Sequence, residues 1–334
     1  MFKSIVKPAS TAPHTKTTIC IIKTLKMTLL TVGIGLLGLT GCNSSSRNSE
    51  EPKITTNTEL VGHFFGIFDD NWGKRLREET PFDKMDFVYI AFAHPYDEDG
   101  DGIYELGYEN AHQEAPHTDQ ERIDQIVSMA REKNPDIKLL ISEGWSMEDY
   151  WKSAQDPQVF ANSVITMIRT HKLDGFDMDY EIGTDPINLS QFIDLITAVK
   201  DRLDLATIED NRSNNPYLFT ITPDHTSLAV WDGKVVNDNV DYVNLQTYWG
   251  NRFDFIDQFE ATGIDVSKML IGLASESYNR PADAPETFAE IAKERGARGI
   301  FAWRLDTDSL DQQGVPHYSI AHKMWDLMGR NEQK

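Results

Sequence analysis

From residue 59 onward, short apolar runs alternate with longer amphipathic stretches. Eight runs are predicted to be strands, at residues 61–68, 86–93, 137–142, 175–180, 217–222, 242–248, 269–274 and 299–303. Several are near-continuously apolar or β-branched, as suits strands of a parallel sheet buried on both faces. Between most of them, apolar residues recur at helical spacing. Residues 118–133 carry Ile123, Ile126, Val127 and Ala130; residues 157–171 carry Phe160, Val164, Ile165 and Ile168; residues 190–203 carry Phe192, Ile193, Ile196 and Val199. Residues 285–295 and 319–328 complete the predicted helices, while 224–240, after the fifth strand, is poor in helix signal. Eight strands alternating with helices over roughly 270 residues predict one α/β domain, a single (β/α)8 TIM barrel with a shortened outer helix after strand five. A doubly wound open sheet is the alternative. It usually carries a Gly-rich phosphate turn after its first strand, whereas this chain reads Gly66-Ile67-Phe68-Asp69-Asp70 there.

The first 41 residues have a different character. They contain Lys3, Lys7, Lys16, Lys23 and Lys26 and no acid, with an apolar run at 27–39. That run is short for a bilayer span and has the length of a signal-peptide core. It ends Leu39-Thr40-Gly41-Cys42, which resembles the bacterial lipobox. The resemblance implies a lipoprotein signal peptide over 1–41, cleavage before Cys42 and acylation of its thiol. An ordinary signal peptide with an incidental cysteine is the alternative. Residues 42–58 are polar and aperiodic, as in a flexible tether, which leaves 59–330 for the barrel. The expected location is the bacterial cell envelope, with a lipid anchor in the outer membrane or at the cell surface.

Composition and charge narrow the partners. The 334-residue chain has a formal net charge of −21. Its 32 basic residues less those five lysines leave 27 against 53 acids, so the remainder carries −26. A chain this acidic is not expected to bind nucleic acid, whose phosphates demand a basic face. The two cysteines, Cys20 and Cys42, both lie near the leader, so the body offers neither a disulfide nor a cysteine metal site.

In a parallel barrel the chemistry sits at the C-terminal ends of the strands. The polar residues ending the predicted strands are Ser142, Glu143 and Trp145; Asp177, Asp179 and Glu181; Asp224 and His225; Asn244, Gln246, Tyr248 and Trp249; Glu276 and Tyr278; and Trp303, Arg304 and Asp306. Acids, amides and aromatic rings at one mouth suit a sugar site. On strand four, Asp177, Asp179 and Glu181 are spaced by two and share one face, with Phe176, Met178 and Tyr180 on the other. Three crowded acids cannot all ionise freely, so at least one carboxyl is expected to keep its proton to higher pH, as a general acid requires. A solvated acidic strand end or a divalent-metal cluster is the alternative.

Asp174, Gly175, Asp177, Asp179 and Glu181 match DxxDxDxE, and here the chain resembles glycoside hydrolase family 18, which includes chitinases and endo-β-N-acetylglucosaminidases. Three further segments carry the resemblance more weakly. Ser142-Glu143-Gly144 resembles the strand-three SxGG segment, with Trp145 in place of the second glycine. Residues 242–248 resemble the strand-six motif, and Trp303 resembles the tryptophan that floors the sugar site. The resemblance implies retaining hydrolysis without an enzyme nucleophile, the family being an exception to the two-carboxylate rule. Glu181 would protonate the glycosidic oxygen, and the substrate's 2-acetamido carbonyl would attack C1 to form an oxazolinium ion. Asp179 would hold the acetamide N–H, and Asp177 would share its proton. Tyr248 would align the carbonyl. Gln246, Trp303, Asp174, Trp145, Trp249 and Asp224 are the expected substrate-binding residues. No cofactor and no metal is implied.

Within the family, strand six of many chitinases reads Met-x-Tyr-Asp, whereas this chain reads Gln246-Thr247-Tyr248-Trp249. A glutamine before the tyrosine resembles endo-β-N-acetylglucosaminidases of the mannosyl-glycoprotein type. Strands seven and eight lie too close in sequence for the insertion that walls many chitinase clefts. The expected activity is therefore cleavage of β-1,4 linkages in the chitobiose core of N-glycans, by a monomer whose partner is an N-acetylglucosamine-containing glycan or glycoprotein. A chitinase and a non-catalytic glycan-binding surface lipoprotein are the alternatives. The acidic stretch from Asp97 to Gly102 is expected to be a solvated loop, because it lacks the helix–loop–helix context and the twelfth-position glutamate of an EF-hand. His63 is expected to be a core histidine.

Overall fold

A computed structural model describes residues 59–108, 112–144, 149–181, 187–248, 250–276, 282–310 and 312–329. The expected signal peptide, Cys42 and tether lie outside the described residues. The strands are β1 (Leu60–Gly66), β2 (Phe87–Tyr96), β3 (Glu105–Gly107), β4 (Lys138–Gly144), β5 (Gly175–Asp179), β6 (Leu218–Ile221), β7 (Tyr242–Leu245), β8 (Met269–Ala274) and β9 (Gly299–Trp303). Eight of them pair in parallel in the order β1-β9-β8-β7-β6-β5-β4-β2, and β1 also pairs with β2, which closes the ring. The fold is thus the expected (β/α)8 barrel, with β5 as its fourth strand. The short β3 was not expected; it pairs antiparallel with the end of β2, which runs past Ala93 to Tyr96.

The helices are α1 (Trp72–Arg75), α2 (Asp119–Lys133), α3 (Asp149–Ser153), α4 (Pro157–His171), α5 (Leu189–Glu209), α6 (Gly233–Asn239), α7 (Asp254–Ala261), α8 (Pro285–Arg295) and α9 (Ser319–Leu327). Local chemistry sets several of their ends. Thr118 caps α2, Asp156 with Pro157 starts α4, and Asn188 and Gln191 close a reciprocal capping box on α5. Proline opens α8, and Gly296 ends it in the left-handed conformation. After β6 the outer layer is a 3-10 turn at His225–Val230 and the short α6, so the expected shortening is present. Helix α5 runs six residues beyond the predicted limit, with Leu203, Ala206 and Thr207 keeping one face buried almost to its end. The barrel interior is aromatic and aliphatic, with Phe64, Phe87, Tyr89, Leu140, Leu270 and Phe301 in one buried cluster. A larger apolar layer packs the outer strand faces against the helices.

Asp174 corrects one expectation. It precedes β5 and so lies at the N-terminal end of the barrel, about 20 Å of extended chain from Glu181. Its carboxylate accepts from the Leu139 backbone N–H at 3.0 Å, from Arg212 at 2.7 Å and from Arg131. It is therefore a buried clamp joining β4, β5, α2 and the turn after α5, and not a substrate-binding residue. Removing one partner of such a buried pair costs about 3 kcal/mol. Asp174→Ala should lower the melting temperature by several degrees while leaving kcat per folded molecule unchanged, as thermal unfolding and active-site-normalised kinetics would read.

Candidate active site

The alternation of β5 divides its side chains as expected. Phe176 packs its ring 6.1 Å from both Phe160 and Phe219, and Tyr180 packs 5.1 Å from Phe192 and 4.7 Å from Tyr150. These contacts anchor the strand to the helical layer and turn Asp177 and Asp179 into the barrel. Asp177 is fully buried. Ser142 donates to its Oδ2 at 2.7 Å, Thr222 to its Oδ1 at 3.0 Å, Asn244 to its Oδ1 at 3.3 Å, and Thr220 donates as well. Tyr89 in turn donates to Asn244 at 3.2 Å. Burial pushes the Asp177 carboxyl up to about 6, against the pull of these four donors.

Asp179 sits one layer nearer the mouth. Gly144 makes room for it, since a Cβ there would come within 2.8 Å of the Asp179 Cβ. Burial raises the Asp179 carboxyl well above the usual carboxylate range, and the charges of Glu181, Asp177 and Asp224 raise it further. Gln246 stands between the two outer acids, its Nε2 donating to Asp179 Oδ1 at 2.8 Å and to Glu181 Oε1 at 3.0 Å. Glu181 is only partly exposed; its carboxyl is raised by burial, lowered by Gln246 and raised by Asp224. Its backbone carbonyl accepts from Thr226 Oγ1 at 2.8 Å, and the same hydroxyl lies 2.6 Å from Asp224 Oδ1. Asp224 thus caps the 3-10 turn after β6 and faces the acids from the side.

Tyr248 is buried beside Phe301, with ring centroids 6.2 Å apart, and its phenol is raised far above its usual range by burial and by the Glu181 and Asp179 charges. Trp303 ends β9 on the inner face, stacked 5.8 Å from Phe92. The structure therefore gathers Asp177, Asp179, Glu181, Gln246, Tyr248, Asp224 and Trp303 at one mouth and leaves Asp174 at the other end. Trp145 and Trp249 lie outside the described residues. Glu143, of opposite parity to Ser142, is fully buried and accepts from Ser153 Oγ of α3 at 2.6 Å. His63 is buried, lacks a hydrogen-bond partner on either ring nitrogen and is lowered to about 3 by burial, as a core histidine. The carboxylates of Asp97, Asp99 and Asp101 lie within 4.8 Å of one another; Asp99 and Asp101 are exposed, and backbone N–H groups of the loop donate to all three. Sequence reasoning missed Thr220 and Thr222 around Asp177, although both have the parity of an inward face in the fifth predicted strand.

Fold and site together define a (β/α)8 protein with an acid cluster at its C-terminal mouth. Residues 64–267 match the family described as Glycosyl hydrolases family 18, and the chain belongs to that family. "Putative chitinase 2" of Margaritifera margaritifera is 29% identical over 143 residues, 40% of this chain and 31% of the relative. "Chitinase A1" of Niallia circulans is 28% identical over 138 residues, 36% of this chain and 19% of the relative. The chain thus spans less than a third of the length of these curated relatives in the matched regions. The class V chitinase of Nicotiana tobaccum is similar in fold, with a TM-score of 0.62 at 13% identity, over 81% of this chain and 99% of that one. All three names speak of chitinases and not of the deglycosylating enzymes expected from Gln246.

The acid cluster has a measurable signature. Asp177 rises from an unfolded value near 4 to about 6 in the fold, so the folded state binds more protons across that window. Stability should therefore fall as pH rises from about 4 to about 6, and fall no further on this account above it. Melting temperatures from pH 4 to 7 should slope less steeply for Asp177→Asn than for wild type; parallel slopes would assign the titration to other groups.

Proposed function

We propose that the chain hydrolyses the β-1,4 bond following an N-acetylglucosamine residue, with the substrate's own acetamide as nucleophile. The observation that carries this reading is the Asp179–Gln246–Glu181 bridge. Two acids on one face of one strand approach a sugar from the same side, whereas the usual two-carboxylate mechanisms require acids on opposite sides of it. The pair therefore suits protonation of the leaving group together with restraint of a neighbouring acetamide.

In the first step the Glu181 carboxyl gives its proton to the glycosidic oxygen. The C1–O bond breaks as the acetamide oxygen bonds to C1, and the oxazolinium ion forms. Asp179 accepts the acetamide N–H and stabilises the positive charge, while the proton shared with Asp177 adjusts its basicity. Tyr248 donates to the acetamide oxygen and aligns it. In the second step the Glu181 carboxylate takes a proton from water, water oxygen bonds to C1, and the acetamide oxygen leaves. The configuration is retained, and the raised carboxyl of Glu181 suits it to donate first and accept second.

Chitin and the N-glycan core share the same N-acetylglucosamine disaccharide, so these residues fit both. We favour the N-glycan core, because β8 leads into α8 across residues 275–284, which leaves no inserted domain to wall the mouth. Chitin oligosaccharides are the second reading, favoured by the names of the relatives.

Glu181→Gln should lower kcat by about 10²–10⁴, and a substrate whose reacting sugar lacks the acetamido group should be cut poorly by wild type. Turnover unchanged in Glu181→Gln would remove catalysis at this site. Digestion of a high-mannose glycoprotein beside chitooligosaccharides, with released glycans profiled by mass, should yield free N-glycans; chitooligosaccharide fragments alone would leave a chitinase.

A further inference from the structure

Around the closed barrel, β5 lies four strands from β9, diametrically opposite it, and β6 lies beside β5. A sugar resting on Trp303 at the end of β9 therefore reaches toward Glu181 across the mouth. Whatever follows the broken bond continues past Glu181, toward the 3-10 turn after β6 that begins at His225. That turn is held firmly. Asp224 accepts from the Thr226 backbone N–H at 2.9 Å, and its carbonyl accepts from Ser227 Oγ at 2.6 Å. Ser227 Oγ in turn accepts from the buried Trp231 indole at 2.8 Å, and the Trp231 ring packs edge-on 6.0 Å from Tyr180. Thr226 Oγ1 reaches the Glu181 carbonyl at 2.8 Å, so His225 follows one neighbour of the acid and precedes another. Its ring stacks on Phe255 of α7, with centroids 5.0 Å apart and planes within 15°. Phe255 is buried and carries the Arg252 guanidinium 4.1 Å from its ring centroid. His225 Nδ1 lies 3.6 Å from Asp224 Oδ2. That carboxylate favours the proton on Nδ1 and leaves Nε2 to accept. The side chain is half exposed, and its Nε2 has no hydrogen-bond partner among the described residues.

We propose that His225 forms a subsite for the leaving-group sugar: its Nε2 accepts a hydroxyl hydrogen from the N-acetylglucosamine beyond the broken bond, on a ring whose plane Phe255 sets. The inference rests on the proposed roles of Glu181 as the acid and Trp303 as the sugar floor. An acid must reach the oxygen that joins the two sugars, so the leaving sugar lies among the elements that flank Glu181. An unconstrained histidine on a surface turn would sample several rotamers. This one has a ring face packed and one nitrogen turned to a carboxylate, which leaves a single acceptor in a set direction. The contact exists only while the leaving sugar is in place. It is lost in the second half-reaction, when water occupies that side. His225 therefore sorts substrates by what the reacting glycan is attached to, and favours a leaving group with a hydroxyl at this height over one without.

The test uses the full chain and compares two probes. One is chitotetraose or a high-mannose glycopeptide, whichever wild type cuts; the other is the oxazoline of the glycan it releases, which has no leaving sugar. One hydrogen bond of this kind is worth about fivefold in affinity, so His225→Ala should lower kcat/KM on the intact substrate by about that factor. Hydrolysis of the oxazoline should stay at the wild-type rate. His225→Phe keeps a ring against Phe255 but offers no nitrogen, so it should show the same selective loss, which a collapsed turn would not produce. Equal losses on both probes, a loss that His225→Phe restores, or no loss on the intact substrate would overturn the proposal. If wild type cuts neither probe, isothermal titration calorimetry with chitotetraose decides. Weaker binding by both variants would then support the subsite while removing the proposed activity, and equal binding by all three proteins would remove the subsite as well.

Discussion

Everything at the mouth depends on enclosing the Asp177 carboxyl in the barrel interior. An acid without water is tolerated there only when hydrogen-bond donors surround it, and Ser142, Thr220, Thr222 and Asn244 supply them from β4, β6, the residue just after it, and β7. That requirement fixes the register of neighbouring strands, because each donor must face inward at the same height. It also raises the proton affinity of Asp179 in the layer above, which feels the charges of Asp177 and Glu181 in a medium with little screening. Phe176 and Met178 on the outer face of β5, with Tyr180 just beyond it, belong to the same arrangement, since they hold the strand so that its acids cannot rotate away.

Much of this was legible in the sequence. All eight barrel strands fall within a few residues of the apolar runs, and α4 and α8 begin and end where the periodicity and their prolines predict. What escaped depends on little local signal. Helices α1 and α3 and strand β3 are only three to five residues long, too short for a period to register. Helix α7 is amphipathic but spans eight residues, with Phe255, Ile256 and Phe259 as its buried face.

The site was legible along β5 and less so across the barrel. Parity alone aligned Asp177, Asp179 and Glu181. The same parity, applied strictly, sets Asp174 apart, because it lies an odd number of residues from them and before the strand begins; the motif spacing suggested a common role that the geometry does not support. Gln246 was read as a substrate ligand, yet its amide hydrogens are directed at the two acids. Glu276 stood out only as a polar residue at a strand end. Its backbone N–H reaches the Trp303 carbonyl and its carboxylate lies 3.8 Å from Arg304, contacts between β8 and β9 that no spacing within one run reports.

The glutamine bridge has a further consequence for the reaction cycle. Glu181 must alternate between carboxyl and carboxylate if it is to act first as acid and then as base, and Asp179 feels each change. An amide does not titrate. Gln246 donates the same two hydrogens whichever acid holds the proton, so the separation of the acids is set by a group indifferent to their charge. On the proposed mechanism the two acids can then pass through both half-reactions at a fixed separation, with protons alone changing place on the protein.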